Sequence, residues 1–250
     1  MLCLQAYAAI YLVEPQDQKL LPGKELAFGK ISRGETLKVV IKKKSDLGED
    51  WSQIKVEPEF LPSGWKAESV ETDKTLIALV TVSKGAAVSM QRLKFLAVSQ
   101  QQPELNESFF AKVSVHESLL NATIENLSQE AVLGQASLFN LVLNNDSIAE
   151  HSLRAESTLP NFWFEAEEIK LAPNETKTVT LSVMPLTYGE KSFSFKVSSM
   201  HNASSFGFPA KLNTKPTLLG MYQAPITGLP IFAPTMLPFY LINGLLSVLS

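Results

Sequence analysis

Leu159-Pro160-Asn161-Phe162-Trp163 decides how this chain is read, because Leu61-Pro62-Ser63-Gly64-Trp65 states the same pattern earlier. The two tryptophans stand 98 positions apart, at 65 and 163. A spacing of about one hundred residues is the length of one small β-sandwich. Each Trp is followed by a turn, an alternating strand, another turn and a second strand. The chain therefore divides into two copies of one all-β module, residues 9–118 and 119–215, with Trp65 and Trp163 expected as core residues. A short apolar start, 1–8, and an uncharged tail, 216–250, flank them.

The strands are legible by period. Thr36–Lys42 sets Leu37, Val39 and Ile41 on one face and Lys38 and Lys42 on the other, and Thr75–Val82 puts Leu76, Ala78, Val80 and Val82 in phase. In the second copy, Lys177–Val183 alternates Val179, Leu181 and Val183 with Thr178, Thr180 and Ser182. A period of two marks a strand with one face buried and one wet. Leu93–Val98 with Phe109–Val115, and Ser192–Val197 with Phe206–Leu212, read as hairpins. No apolar period of 3.6 lasts beyond two turns before residue 215. Short strands with turns every 8–12 residues specify antiparallel sandwiches.

The Leu-Pro-x-x-Trp pattern, together with Leu171-Ala172-Pro173-Asn174-Glu175-Thr176-Lys177-Thr178-Val179-Thr180-Leu181, resembles the Ig-like or fibronectin-like repeats of bacterial and archaeal cell-envelope proteins, including the alpha-galactosidase-associated kind. The resemblance is best over residues 119–215. Asn174 stands where that family has a turn glycine, and the first copy lacks the Pro-Gly-Glu turn before Thr75. It implies tandem Ig-like sandwiches that serve as spacers, adhesion elements or carbohydrate-associated accessories, without catalytic residues. Fold alone does not choose among these roles.

Composition narrows the classes. At 250 residues and 45% hydrophobic, the chain can bury a full core. Net charge is −3 and the one dense basic run, Lys42-Lys43-Lys44, closes a strand, so nucleic acid is not an expected partner. Cys3 is the only cysteine, which rules out an intramolecular disulfide. His116, His151 and His201 are scattered and no phosphate-binding loop occurs, so neither metal, cofactor nor catalysis is expected. Glu165, Glu167 and Glu168 cluster near Trp163. Glycosidases place such carboxylates in a cleft, but on a small sandwich their expected home is a wet strand edge.

Six Asn-x-Ser/Thr sequons occur, at Asn106, Asn121, Asn126, Asn145, Asn174 and Asn202. All but Asn121 lie in stretches that read as loops or turns, and together they point to a glycosylated, extracytoplasmic protein of an archaeal-type envelope. Residues 1–8 have two readings: a signal-peptide remnant with Ala6-Tyr7-Ala8 as its cleavage signal, or the lead-in to the first strand. The tail, 216–250, carries no charge. As a helix, Ile231–Ser250 would be about 30 Å long, one hydrocarbon core, although Pro225, Pro230, Pro234 and Pro238 interrupt the tail. Three readings stand for it: a transmembrane anchor, a partner-binding segment, or a segment packed back on the sandwich. The leading expectation is a membrane-anchored envelope protein presenting two modules to a protein or glycan partner. The alternatives are a carbohydrate-binding accessory using Trp51 or Trp163, and a subunit of a membrane-embedded complex.

Overall fold

The computed structural model describes residues 9–45, 50–100, 106–200 and 204–215, and over these the chain is all β: seventeen strands and one 3-10 turn, Pro58–Phe60. Among the described residues no helix is long and apolar enough to cross a membrane. Residues 1–8 and the tail 216–250, on which the leader and anchor expectations fall, lie outside the described residues. The chain forms two compact units. The first is residues 1–120 with Asn145–Glu150 and Ala172–Glu175; the second is Asn121–Asn144, His151–Leu171 and Thr176–Ser250.

The first unit holds β1 (Ile10–Glu14), β2 (Gln18–Leu20), β3 (Glu25–Ser32), β4 (Thr36–Lys42), β5 (Trp51–Val56), β6 (Lys66–Glu71), β7 (Thr75–Thr81), β8 (Met90–Ser99) and β9 (Asn106–His116). One sheet runs β2-β1-β4-β7-β6 and the other β3-β9-β8-β5. Pairing is antiparallel except between β3 and β9. The order β1-β4-β7-β6 facing β5, β8 and β9 is the A-B-E-D over C-F-G arrangement of an Ig-like sandwich. Successive side chains alternate between faces, so Leu37, Val39, Ile41, Leu76, Ala78 and Val80 meet Leu93, Phe95, Phe109 and Val113 in one core. Phe95 and Phe109 stack with centroids 5.1 Å apart, and Phe28 leans on both at 6.2 and 6.4 Å.

The second unit holds β10 (Leu120–Ile124), β11 (Ser128–Val132), β12 (Ser137–Asn145), β13 (His151–Ser157), β14 (Glu167–Leu171), β15 (Thr176–Val183), β16 (Gly189–Ser199) and β17 (Ser205–Lys215). Its sheets run β10-β12-β15 and β11-β17-β16-β13-β14. Here too one pair, β11 with β17, is parallel. Phe139 of the smaller sheet meets Phe193 and Phe195 of the larger edge-on, at 5.9 and 5.1 Å.

The strand after each tryptophan turn goes to a different sheet. β6 pairs with β7, whereas β14 pairs with β13. Lys66 follows Trp65 directly into β6, but Phe164, Glu165 and Ala166 separate Trp163 from β14, and Phe164 is buried. Those three residues carry the second copy back to its own C strand. The copies thus share a turn and a core plan but not a strand order.

The first unit also takes in a stretch that the simple 119–215 division assigns to the second module. Ile148 and Ala149 are buried in the first unit's core, and the Ile148 N–H donates to the Lys30 carbonyl at 2.9 Å. Gly29 makes room for Ile148. It sits at φ +128, and a Cβ there would lie 2.8 Å from Ile148 Cγ2. Gly29→Ala combines an unfavourable φ with an overpacked contact, and is expected to destabilise the first unit by about 2 kcal/mol or more. Urea unfolding followed through Trp51 and Trp65 fluorescence measures this; an unchanged midpoint would refute the close packing.

Candidate interaction surfaces

The duplicated pentapeptide closes on the same hydrogen bond twice, although Gly64 takes a left-handed φ of 78 and its counterpart Phe162 does not. Trp65 N–H donates to the Pro62 carbonyl at 3.0 Å and Trp163 N–H to the Pro160 carbonyl at 2.8 Å. Trp65 packs into the main core of its unit, 7% exposed. Trp163, 6% exposed, instead seals a small cluster with Leu133 and Leu186, flanked by Leu159, at one end of the second sandwich. Trp51 is 1% exposed. A sugar stacks on an open ring face, and neither Trp51 nor Trp163 presents one, so the expectation of a glycan platform on them is corrected: these rings fill cores.

The sequons separate by position. Asn106, Asn121, Asn126 and Asn174 are exposed, and Asn126 and Asn174 occupy left-handed turns at φ 55 and 52. Asparagine tolerates that region better than most residues. Asn202 lies outside the described residues. Asn145, read from sequence as a loop acceptor, is completely buried. Its Nδ2, the atom a glycan would occupy, donates to the Ala149 and Ala172 carbonyls, both at 2.8 Å, while Oδ1 accepts the Ser147 N–H at 2.9 Å. The Ser147 hydroxyl in turn donates to Glu35, whose carboxylate also accepts the Ser32 N–H at 2.8 Å. Short polar residues that look like loop chemistry from sequence here form an internal hydrogen-bonded knot. Asn145→Ala leaves the buried Ala149 carbonyl, the half-buried Ala172 carbonyl and the Ser147 N–H without their partner, and is expected to cost about 2 kcal/mol. Thermal unfolding monitored by circular dichroism tests this, with wild-type stability as the outcome that sinks it.

Glu167 and Glu168 open β14, an edge strand, and both are exposed along with Glu165. They form a wet edge rather than a cleft. Among the described residues no group of three His, Cys, Asp or Glu side chains could hold a metal.

The most developed surface was not anticipated from sequence. On the outer face of β8 and β9, the Arg92 guanidinium carbon stands 3.9 Å from the centroid of the Phe110 ring, and Phe60 meets Phe110 edge-on at 5.7 Å. Lys94 Nζ lies 5.5 Å from the Phe60 ring and pairs with Glu57 at 2.7 Å. Glu25 of β3 binds both Arg92, at 2.8 Å, and Lys112, at 2.6 Å. The Phe109-Phe110 doublet was the available signal: in a strand of period two, one of two adjacent rings must point outward. Arginine and aromatic rings are the residue types enriched in protein interfaces. The hydrogen bond from Lys112 lowers the Glu25 pKa, with the Lys112 and Arg92 charges adding to it. Its stabilising contribution is present above the unfolded-state value and is lost as pH falls through the folded one. An NMR titration is expected to place the Glu25 midpoint below that of an unperturbed glutamate, and Lys112→Met to raise it. Coincident midpoints in the two proteins would contradict the pairing.

No family model and no curated protein matches the sequence. Among solved structures, a chimeric titin Z1Z2 functionalized with a KLER exogenous peptide from decorin aligns over 84% of this chain and 99% of its own, at 12% identity and a TM-score of 0.37. The D00-D0 domain of intimin aligns over 81% of this chain and 98% of its own, at 13% identity and a TM-score of 0.28. Escherichia coli alpha-2-macroglobulin activated by porcine elastase aligns over 86% of this chain but 23% of its own, at 14% identity and a TM-score of 0.31. The fold assignment rests on the strand orders given above and not on these likenesses: both units are Ig-like β-sandwiches.

Proposed function

We propose that this chain is a non-catalytic interaction protein of the cell envelope, in which residues 216–250 hold two Ig-like modules at a membrane on its extracytoplasmic side. One observation carries the reading. β17 ends at Lys215, whose carbonyl accepts the Leu133 N–H, and thirty-five residues without a single charge follow. A folded, charged module joined directly to a long uncharged segment is the composition of an anchored ectodomain. The exposed sequons at Asn106, Asn121, Asn126 and Asn174 support the extracytoplasmic side. The finer likeness to alpha-galactosidase-associated envelope repeats rests on the turn and strand at Leu171–Leu181. The mechanism is presentation: rigid modules offer a surface, with the Arg92, Phe110 and Phe60 face as the contact area for a protein partner.

Fractionation tests the anchoring. The full chain is expected in the membrane fraction after alkaline carbonate washing, and a chain ending at Lys215 in the soluble fraction. Recovery of the intact chain as soluble protein would overturn the proposal. Peptide mapping of the native protein is expected to find glycans among the four exposed sequons and none on Asn145; glycan on Asn145 in the folded protein would count against the structure itself.

A further inference from the structure

The end of the second sandwich from which the tail departs gathers exposed apolar side chains beside the Lys215–Glu130 ion pair. Leu133, Gly134 and the turn before β12 lie there, as do the Trp163 turn, the β15–β16 connection and the last residue of β17. Hydrogen bonds tie these segments together: Leu133 N–H to the Lys215 carbonyl at 3.1 Å, Gly134 N–H to the Pro185 carbonyl at 2.9 Å, and Met184 N–H to the Trp163 carbonyl at 2.8 Å. Gly189 stands opposite Thr214, which places Tyr188 beside the chain's exit. Around the buried Trp163, Leu133 and Leu186 cluster stand three outward side chains: Phe162, 53% exposed, Met184, 36%, and Tyr188, 67%. Leu138 adds a fourth. It faces solvent opposite Ser182, in the outward row that leads to Met184. Of the large hydrophobic residues exposed among the described residues of the second unit, Met200, just past the far end of β16, is the one outside this group.

We propose that this collar of Phe162, Met184 and Tyr188 sits in the interfacial layer of a lipid bilayer, so that the second sandwich rests end-on against the membrane that holds the tail. The proposal builds on the anchoring reading and adds a contact to it. Two observations select lipid over other occupants. The collar surrounds the exit of an uncharged thirty-five-residue segment that begins at Pro216, so no charged linker separates the two. Its members also match an interfacial site, where a tyrosine keeps its hydroxyl among headgroups while its ring and an aromatic or thioether neighbour reach the acyl boundary.

The test uses the full chain with Cys3→Ser, reconstituted in phosphatidylcholine liposomes. An environment-sensitive fluorophore is placed in turn on Phe162→Cys, Tyr188→Cys and, as a control at the opposite end, Met200→Cys. All three positions are exposed, and intrinsic tryptophan fluorescence checks that each variant is folded. Labels at 162 and 188 are expected to be quenched several-fold more by spin-labelled lipid than the label at 200, and several-fold less by aqueous iodide. If the chain floats with the liposomes but all three labels behave alike, the collar does not touch lipid, and anchoring survives without it. Shielding from iodide without lipid quenching would overturn the proposal in favour of a protein cover, either the tail itself or a second copy. Failure of the chain to float would sink the anchoring reading and the collar contact together.

Discussion

Both sandwiches depend on one constraint: two sheets must be joined through side chains alone, because the chain has a single cysteine and no bridge can cross the core. Many small extracellular domains meet that demand with a disulfide between the B and F strands. Here aromatic rings fill the same space. In the first unit they form a row along one sheet, Phe28, Phe109 and Phe95, which packs against the aliphatic row of β4 and β7. In the second they cross between sheets, with Phe139 meeting Phe193 and Phe195. Large rings contribute more buried area per residue than any aliphatic side chain, and tilted or edge-on pairs add about 0.5–1.5 kcal/mol beyond that area.

The same constraint explains what could be read from the letters. Strands that bury one face wholly, such as Thr36–Lys42, match their expected bounds, because every second residue must be apolar. Strands at sheet edges escape that demand. β6 has six exposed residues, Lys66–Glu71, and β14 opens with two glutamates, so neither shows a complete alternation although both pair in full register. β13 buries Leu153 and Ala155 but also His151, a residue that reads as polar.

The surfaces were harder to read than the strands, because they join residues remote in sequence. Arg92 meets Phe110 across a strand pair, and Glu25 reaches Lys112 across a parallel one. Asn145 shows the opposite failure. Its local context, Asn144-Asn145-Asp146-Ser147, has the chemistry of an exposed turn, and only contacts from distant backbone at Ala172 and Lys30 bury the stretch. Likewise the echo between Trp65 and Trp163 correctly reports a shared turn but conceals that three further residues after Trp163 send the next strand to the other sheet.

The exposed edge strands bear on how such molecules behave when crowded. An unpaired strand edge is a template for another chain, and natural sheets blunt it with charge. β14 meets its surroundings with Glu167 and Glu168, and β6 alternates Lys66, Glu68 and Glu71 among small residues. Two copies brought side by side in parallel register would set carboxylate against carboxylate along β14, which opposes the pairing of their backbones there. Charge along these two edges therefore works against fusion of crowded neighbours through them, and leaves each molecule freer to turn and engage other things.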